Sequence, residues 1–285
     1  GGVGRGHRRA HDSGWHVKDP VVDVVIPVHT DRRTITRAVA SVLEGTATPA
    51  RVTVVCHNVA TSAIAAALGD WATEPRVRLL TLEDGIASPA GPINAGLDAA
   101  TAEFTSLLGS DDEYEPGAID AWVAVARRDG AEVVIPVTRT AAGARSVPPV
   151  RPFRTRRLDG VRDRLAYQTV QLGLVSRARF GLVRMTEGLV TGEDVIQGVS
   201  LWFSDAVVSV ARTSPAYLIH EDDAHARTSS TAKPAREALL FLDAVLHPAF
   251  VSTLTEAQRE AFAVKLLRTH LMDIFRAALD AGGSP

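Results

Sequence analysis

The chain of 285 residues has one cysteine, no strong excess of charge and no long hydrophobic run. A single cysteine, Cys56, excludes an intrachain disulfide framework and a cysteine-rich zinc site. The formal net charge of -2 argues against a general nucleic-acid binder, which needs a basic face. No apolar run approaches the length that spans a bilayer, so no transmembrane segment is predicted.

The first residues lack the hydrophobic stretch of a secretory signal. Residues 1–15 are instead rich in Gly, Arg and His, so we predict a flexible tail over residues 1–19. A cytoplasmic location is the default expectation, with peripheral attachment to a membrane as the alternative.

The chain does contain a regular alternation of apolar strands and helical patterns, which predicts right-handed βαβ units and a mostly parallel sheet. The fold class is therefore α/β and Rossmann-like, with helices flanking the sheet. Strands are predicted at residues 21–28, 51–56, 77–82, 103–108, 132–137, 168–175, 206–211 and 216–220. Helices are predicted after Asp31 and at residues 61–68, 89–100, 118–128, 193–203, 238–246 and 256–279.

Two segments depart from this alternation. Residues 138–167 are rich in Arg, Pro and Gly, and they predict a functional loop or a set of short strands. Residues 233–285 predict a helical C-terminal extension beyond a main domain at residues 20–232. We expect the extension to pack on the main domain. A seam between two copies in a homo-oligomer and a membrane-surface contact are the alternatives.

An acidic cluster follows the predicted strand at residues 103–108. The apolar run stops at Gly109, and Asp111 and Asp112 follow before Pro116. Ligands of open α/β sheets bind outside the carboxyl ends of the strands. Carboxylates there suit a hard divalent cation that also holds phosphate oxygens. The alternative is a solvated acidic turn that caps the next helix.

Several motifs occur in an order that resembles family 2 inverting glycosyltransferases, which have the GT-A fold. The resemblance covers about residues 21–230, and each motif alone is short and weakly specific. The motifs are DVVIPVH at residues 23–29, GPINAGL at 91–97, GSDD at 109–112, GED at 192–194, and His220 followed by Arg227, Ser229 and Ser230.

The resemblance implies transfer of a sugar from a nucleotide-diphospho sugar, UDP or dTDP, with inversion. It implies that Asp194 is the general base, for which a helix-capping acid is the alternative. It also implies that Asp111, Asp112 and His220 hold Mn²⁺ or Mg²⁺. The donor-binding residues it implies are Pro27, Val28, His29, His57, Asn58, Gly91, Asn94, Ser110, Asp111, Glu193, Arg227 and Ser229.

The sequence departs from the family pattern at three places. His29 stands where many members carry Tyr, and a loop histidine without a role is the alternative. Cys56, His57 and Asn58 stand at the end of the second strand, where two acids are common. Asn58 can read a pyrimidine edge through its amide, or it can simply start a turn. Gly109 replaces the first Asp of the metal motif, so metal dependence can be weak or absent.

Three hypotheses follow. The first is a hexosyltransferase-type enzyme whose acceptor is a glycan, a lipid-linked molecule or a small natural product. The second is a sugar-nucleotide nucleotidyltransferase, although residues 28–33 lack the Gly-rich phosphate loop of such enzymes. The third is a catalytically silent nucleotide-sugar binding protein, which the missing acids at Gly109, Cys56 and His57 favour.

Overall fold

The computed structural model describes residues 19–32, 34–168, 172–220 and 234–280. Its strands are β1 (Val22–Val28), β2 (Ala50–His57), β3 (Val77–Leu82), β4 (Phe104–Leu107), β5 (Glu113–Tyr114), β6 (Val133–Ile135), β7 (Thr138–Thr140), β8 (Arg145–Ser146), β9 (Leu174–Ser176), β10 (Val208–Val210) and β11 (Tyr217–Ile219).

The α-helices are α1 (Ile35–Leu43), α2 (Thr61–Leu68), α3 (Ala90–Asp98), α4 (Ala118–Asp129), α5 (Arg177–Phe180), α6 (Val195–Trp202), α7 (Ala235–Ala238), α8 (Phe241–Val245), α9 (Pro248–Val251), α10 (Glu256–Lys265) and α11 (Met272–Asp280). A π-helical segment, Leu266–Leu271, joins α10 to α11. Short 3₁₀ turns lie at Gly69–Thr73 and Leu165–Tyr167.

The main sheet has the strand order β10-β6-β9-β4-β1-β2-β3. Its pairs are parallel except those of β9, which runs antiparallel to both β4 and β6. The prediction of a mostly parallel sheet flanked by helices is therefore confirmed. A smaller sheet has the order β5-β11-β7-β8 and stands beside the carboxyl end of β4.

Strand β1 lies inside the main sheet, between β4 and β2, and its side chains are apolar except for Asp23, which is paired with Arg51. Six of its seven residues are buried, as expected for a strand covered by helices on each side. Helix α3 approaches it closely through Gly96, where an added Cβ would lie 2.2 Å from Cγ1 of Val25. This close contact fixes α3, and the loop before it, against the carboxyl half of β1.

The C-terminal helices pack on the main domain through α6. Val195 and Val199 of α6 share a buried apolar cluster with residues of α8, α10 and the segments next to them. The cluster partners are Phe241, Val245, Leu254, Phe262 and Leu266. The expected packing of the extension is thus present, whereas a role between two copies stays a prediction. In the described part of the chain, we find no helix with the length and apolar character needed to cross a membrane.

The structure corrects two elements of the predicted pattern. Within the predicted strand at residues 168–175, the described residues 168, 172 and 173 are outside the sheet, and β9 begins at Leu174. Gly173 has a φ of +95°, and a Cβ added there would lie 2.2 Å from the Val134 carbonyl oxygen. The predicted helix at residues 238–246 is divided into α7 and α8, with α8 ending at Val245. The segment at residues 138–167 holds short strands, which was one of its two predicted forms.

Candidate active site

A cleft of about 520 Å³ opens at the carboxyl ends of β1, β2 and β4. In a parallel sheet these ends meet at one edge, and ligands of such sheets bind there. The lining residues are Pro27, Val28, His29, His57, Asn58, Ile86, Ala87, Ser88, Pro89, Pro92, Gly109, Ser110, Asp111, Asp112, Val190, Thr191 and Glu193. Nine of these were among the predicted donor- or metal-binding residues.

The register of the central strands explains why the first and third motifs meet. Val25 of β1 pairs with Leu107 of β4, and the Leu108 amide donates to the Val25 carbonyl at 3.0 Å. The residues that follow on each strand, Pro27 to His29 and Gly109 to Asp112, therefore leave the sheet side by side. Both groups line the same cleft, as the motif order predicts.

The second wall of the cleft is built around a carboxylate that the motif search missed. Nε2 of His57, at the end of β2, lies 2.8 Å from Oδ1 of Asp84. The Asn58 amide nitrogen donates to the same oxygen at 3.1 Å, and its oxygen accepts from the Asp84 and Gly85 amides. Asn58 therefore starts a turn, with a φ of +53°, and also lines the cleft.

Asp84 is held as an anion. The Ile86 amide, His57 and Asn58 all donate to its carboxylate, and together they lower the pKa of Asp84 from 3.8 to about 2. A carboxylate only accepts hydrogen bonds, so Nε2 of His57 carries the hydrogen in their contact. The acid missing from the end of β2 is thus supplied by the end of β3. The signal in the sequence was an acid just after a predicted strand.

The acidic cluster after β4 converges on the space left open by Gly109. A Cβ at residue 109 would lie 2.7 Å from Oδ2 of Asp112 and 3.2 Å from Oδ1 of Asp111. Both carboxylates therefore border one small volume. The Arg37 guanidinium of α1 donates to the Asp111 carbonyl and fixes the backbone of this turn.

The smaller sheet holds Asp112 in place. The Tyr217 hydroxyl on β11 donates to Oδ2 of Asp112 at 2.7 Å and accepts from the Gly109 amide at 3.0 Å. The His220 amide donates to Oδ1 of Asp112 at 3.0 Å. Burial raises the pKa of Tyr217 well above its usual value, so its hydroxyl stays a donor. Nothing local in the sequence marked Tyr217.

The predicted metal ligands meet only in part. Nε2 of His220 lies 3.0 Å from Oε1 of Glu113, and the His220 backbone amide donates to Oδ1 of Asp112. Within residues 19–32, 34–168, 172–220 and 234–280, no group of three His, Cys, Asp or Glu side chains surrounds a common point. Asp111 and Asp112 supply oxygen ligands, which fits a Mg²⁺ or Mn²⁺ completed by donor phosphates and water.

The two acids of the fourth motif have different surroundings. Glu193 lines the cleft, whereas Asp194, 8% exposed at the start of α6, is not one of the lining residues. Asp194 is the N-cap residue of α6, as the helix-cap alternative expects, although its side chain makes no capping hydrogen bond to that helix. Burial raises the pKa of Asp194, and the Lys265 cation acts against this rise.

Gly91 and Asn94 support the cleft and are absent from its lining. Asn94 exchanges hydrogen bonds with the Met185 backbone at 2.9 and 3.0 Å and donates to Glu187, so it fixes the segment before Glu193. Gly91 leaves room for Asp84, because a Cβ there would lie 2.8 Å from Oδ2 of that residue. Arg227 and Ser229, also predicted to bind the donor, lie outside the described residues.

A sequence comparison identifies the family. The profile described as Glycosyl transferase family 2 matches residues 23–174, which is more than half of the chain. The chain belongs to glycosyl transferase family 2. The match includes β1, the Gly91 to Leu97 segment and the acidic cluster, which are three of the motifs noted in the sequence.

Individual relatives extend this picture. The succinoglycan biosynthesis protein ExoO of Rhizobium meliloti (strain 1021) is 35% identical over 120 residues, which cover 41% of this chain. The matched region spans only 33% of that relative's length.

Solved structures show the same fold. Residues 1–349 of S. aureus TarS superpose with a TM-score of 0.70 at 17% identity, covering 89% of this chain and 74% of that chain. The same fragment in complex with UDP-GlcNAc gives a TM-score of 0.64 at 17% identity, covering 90% and 81%. At this level of identity the likeness shows a common GT-A fold.

Proposed function

We propose that this family 2 glycosyltransferase transfers a sugar from a nucleotide-diphospho sugar, with UDP or dTDP as nucleotide, to an acceptor hydroxyl with inversion. The observation that carries the proposal is the meeting of Asp111, Asp112 and Glu193 around one cleft at the strand ends. A complex of TarS with UDP-GlcNAc has the same fold and supports a donor of this class.

The nucleoside would occupy the side of the cleft formed by β1 and β2. Pro27, Val28 and His29 offer a surface for the base, and His57 and Asn58 offer its polar contacts. Asp84 orients both of them and keeps an acceptor charge close by. This arrangement suits the N–H of a pyrimidine edge, which needs an acceptor.

The diphosphate would lie against the acidic cluster. When bound there, a Mg²⁺ or Mn²⁺ ion would neutralise the charge that develops on the leaving diphosphate. Asp111 is the better ligand, because it stands at the second Asp of the metal motif that the sequence resembles. Ser110, buried at the same turn, can hydrogen-bond the donor.

Asp194 would act as general base. The acceptor oxygen attacks the anomeric carbon from the face opposite the diphosphate, the bond to the phosphate oxygen breaks, and the proton passes to the Asp194 carboxylate. A pKa raised by burial suits this role, because a base near the working pH accepts a proton more readily. Glu193, in the cleft itself, would hold the sugar and acceptor in line.

Two measurements test the proposal. A thermal-shift screen of nucleotide sugars, with and without Mn²⁺, should show stabilisation by UDP or dTDP sugars, because a ligand that prefers the native state raises its stability. UDP release from UDP-GlcNAc should then be lost in Asp194→Asn while donor binding is kept. Turnover kept in Asp194→Asn but lost in Glu193→Gln would assign the base to Glu193.

The product separates the alternatives. A glycosyltransferase releases a nucleoside diphosphate, whereas a nucleotidyltransferase releases pyrophosphate from a nucleoside triphosphate. Donor binding in calorimetry, with neither product formed over a broad acceptor panel, would instead identify a silent binding protein.

A further inference from the structure

A buried lysine of the C-terminal extension faces the catalytic loop. Lys265, the last residue of α10, is 1% exposed, although lysine is almost never fully buried without a charged partner. Burial lowers the pKa of Lys265, and the Asp194 carboxylate acts against this fall. Leu266, which follows Lys265, and Val195, which follows Asp194, are buried in one apolar cluster, so the two charged residues lie on adjoining segments.

The loop that carries Asp194 is anchored to the same extension. Gly192 has a φ of +75°, and an added Cβ would lie 2.6 Å from Cγ of Phe241 on α8. Val195, which follows Asp194, is buried in the cluster formed with Phe241 and Leu266. The backbone on both sides of Glu193 and Asp194 is thus set by helices that follow the sheet domain.

The helix changes its form directly after Lys265. The π-helical segment Leu266–Leu271 bonds each residue to the fifth along the chain, so Lys265 and His270 come onto one face. The His270 ring lies 5.2 Å from the Phe241 ring, and Nε2 of His270 is buried without a hydrogen-bond partner among the described residues. Local π-helical segments often occur at functional sites.

We propose that Lys265 is a positioning residue for catalysis, which supplies a buried cation beside the segment of Asp194 and ties the proposed base to the C-terminal helices. The inference rests on the proposed function, because it gives Asp194 its role as base. Lys265 is not one of the residues that line the cleft, so it would act on the reaction through Asp194.

The charges around the pair agree with this role. Burial raises the pKa of Asp194, and the Lys265 cation opposes the rise. Burial, and then the Lys265 cation, lowers the pKa of His270 to about 4, so His270 is neutral near pH 7. Asp273 faces His270, Glu193 faces the cleft, and α8 contributes apolar Phe241 and Val245.

The decisive test is the pH dependence of UDP release from UDP-GlcNAc, with Mn²⁺ and water as acceptor. In Lys265→Met the pKa of Asp194 should rise, so the acid limb of the rate profile should move to higher pH. A shift of one pH unit would lower the rate below the limb about tenfold, with recovery at alkaline pH. Lys265→Arg should restore most of the wild-type profile, and Arg268→Gln, exposed on the same helix, should leave it unchanged.

The outcomes separate the inference from the function on which it rests. If Asp194→Asn is inactive but Lys265→Met keeps the wild-type limb, Lys265 has no such role. A loss of rate that is equal at every pH would likewise indicate a structural residue. If Asp194→Asn keeps full turnover, the assignment of the base fails first.

Stability gives an independent measurement, since Lys265→Met leaves Asp194 as a buried charge without its cation. The unfolding of Lys265→Met, Asp194→Asn and the double variant should show coupling, with the double variant more stable than the sum predicts. If Lys265→Met does not fold, rescue by Asp194→Asn in the same chain supports the pair. Absence of rescue overturns the pairing.

Discussion

The two sides of the cleft are built in different ways. The side proposed to bind the nucleotide, the nucleotide side, comes from β1, β2 and the start of α3, and the two strands are joined by parallel pairing. The side proposed to be catalytic carries Glu193 and Asp194, whose segment is held by Asn94 through Met185 and Glu187 and by the C-terminal helices through Val195. The first side is thus a product of local βαβ folding, and the second of contacts between distant segments.

The largest effect should come from the acidic cluster, where the two sides meet. Asp111→Asn removes a carboxylate beside the leaving diphosphate, so turnover should fall about a thousandfold, as when one group that stabilises transition-state charge is lost. UDP release at rising Mn²⁺ concentration measures the effect. Asp129→Asn, at the far end of α4, is the control, and near-normal turnover in Asp111→Asn would exclude the proposed ligand.

Alanine substitutions at two glycines, one on each side of the cleft, allow the loss of stability on the two sides to be compared. Gly192→Ala introduces a Cβ at a φ of +75° and 2.6 Å from Phe241, so it should destabilise the protein by about 3 kcal/mol through strain and overpacking. Gly96→Ala also overpacks, against Val25, but it gains about 1 kcal/mol of helix propensity in α3. Urea unfolding should therefore rank Gly192→Ala as the more damaging change, and the reverse order would contradict the anchoring of the loop.

A moderate effect is expected on the nucleotide side. Asp84→Asn removes the acceptor that orients His57 and Asn58, so UDP should bind about tenfold more weakly, about 1.4 kcal/mol. The pKa of Asp84 is about 2, so the effect should be constant between about pH 5 and 8. Calorimetry measures it, and the exposed neighbour Glu83→Gln should bind UDP normally.

The smallest effect is expected at the start of α10. Thr255 and Gln258 form a reciprocal capping box, and Gln258 also donates to the Phe203 carbonyl at 3.0 Å. Thr255→Ala should cost about 1 kcal/mol of unfolding free energy. Thr255→Ala leaves both Lys265 and Asp194 in the protein. The pH profile of UDP release should therefore stay unshifted despite the lower stability.

The parts of the fold that could be predicted are those with a local pattern. The β-branched run of β1 and the short helix α2 follow from their own residues, and the predicted bounds of α2 and β3 agree with the structure. The start of β9 could not be predicted, because it depends on the unusual backbone of Gly173. Strand β5 has two residues and no period to detect, so only its partner β11 defines it.

The residues of the site also fall into two groups, those that a local motif predicted and those that it did not. Pro27, Val28, His29 and the acids after β4 follow strand ends, and parallel strands bring them together, so their motifs predicted the cleft. Asp84 and Tyr217 act through side-chain contacts across the fold, at 2.8 Å to His57 and 2.7 Å to Asp112. Such contacts depend on tertiary packing, and a single sequence carries no spacing that reveals them.

The open space at Gly109 also limits how this enzyme could be redesigned. An aspartate installed there would have its Cβ 2.7 Å from Oδ2 of Asp112. The new side chain would have to displace Asp112 from Tyr217 before it could add a ligand. A single change at residue 109 would therefore disturb the position of Asp112. A third acid at this turn would require replacing residues 109 and 112 together.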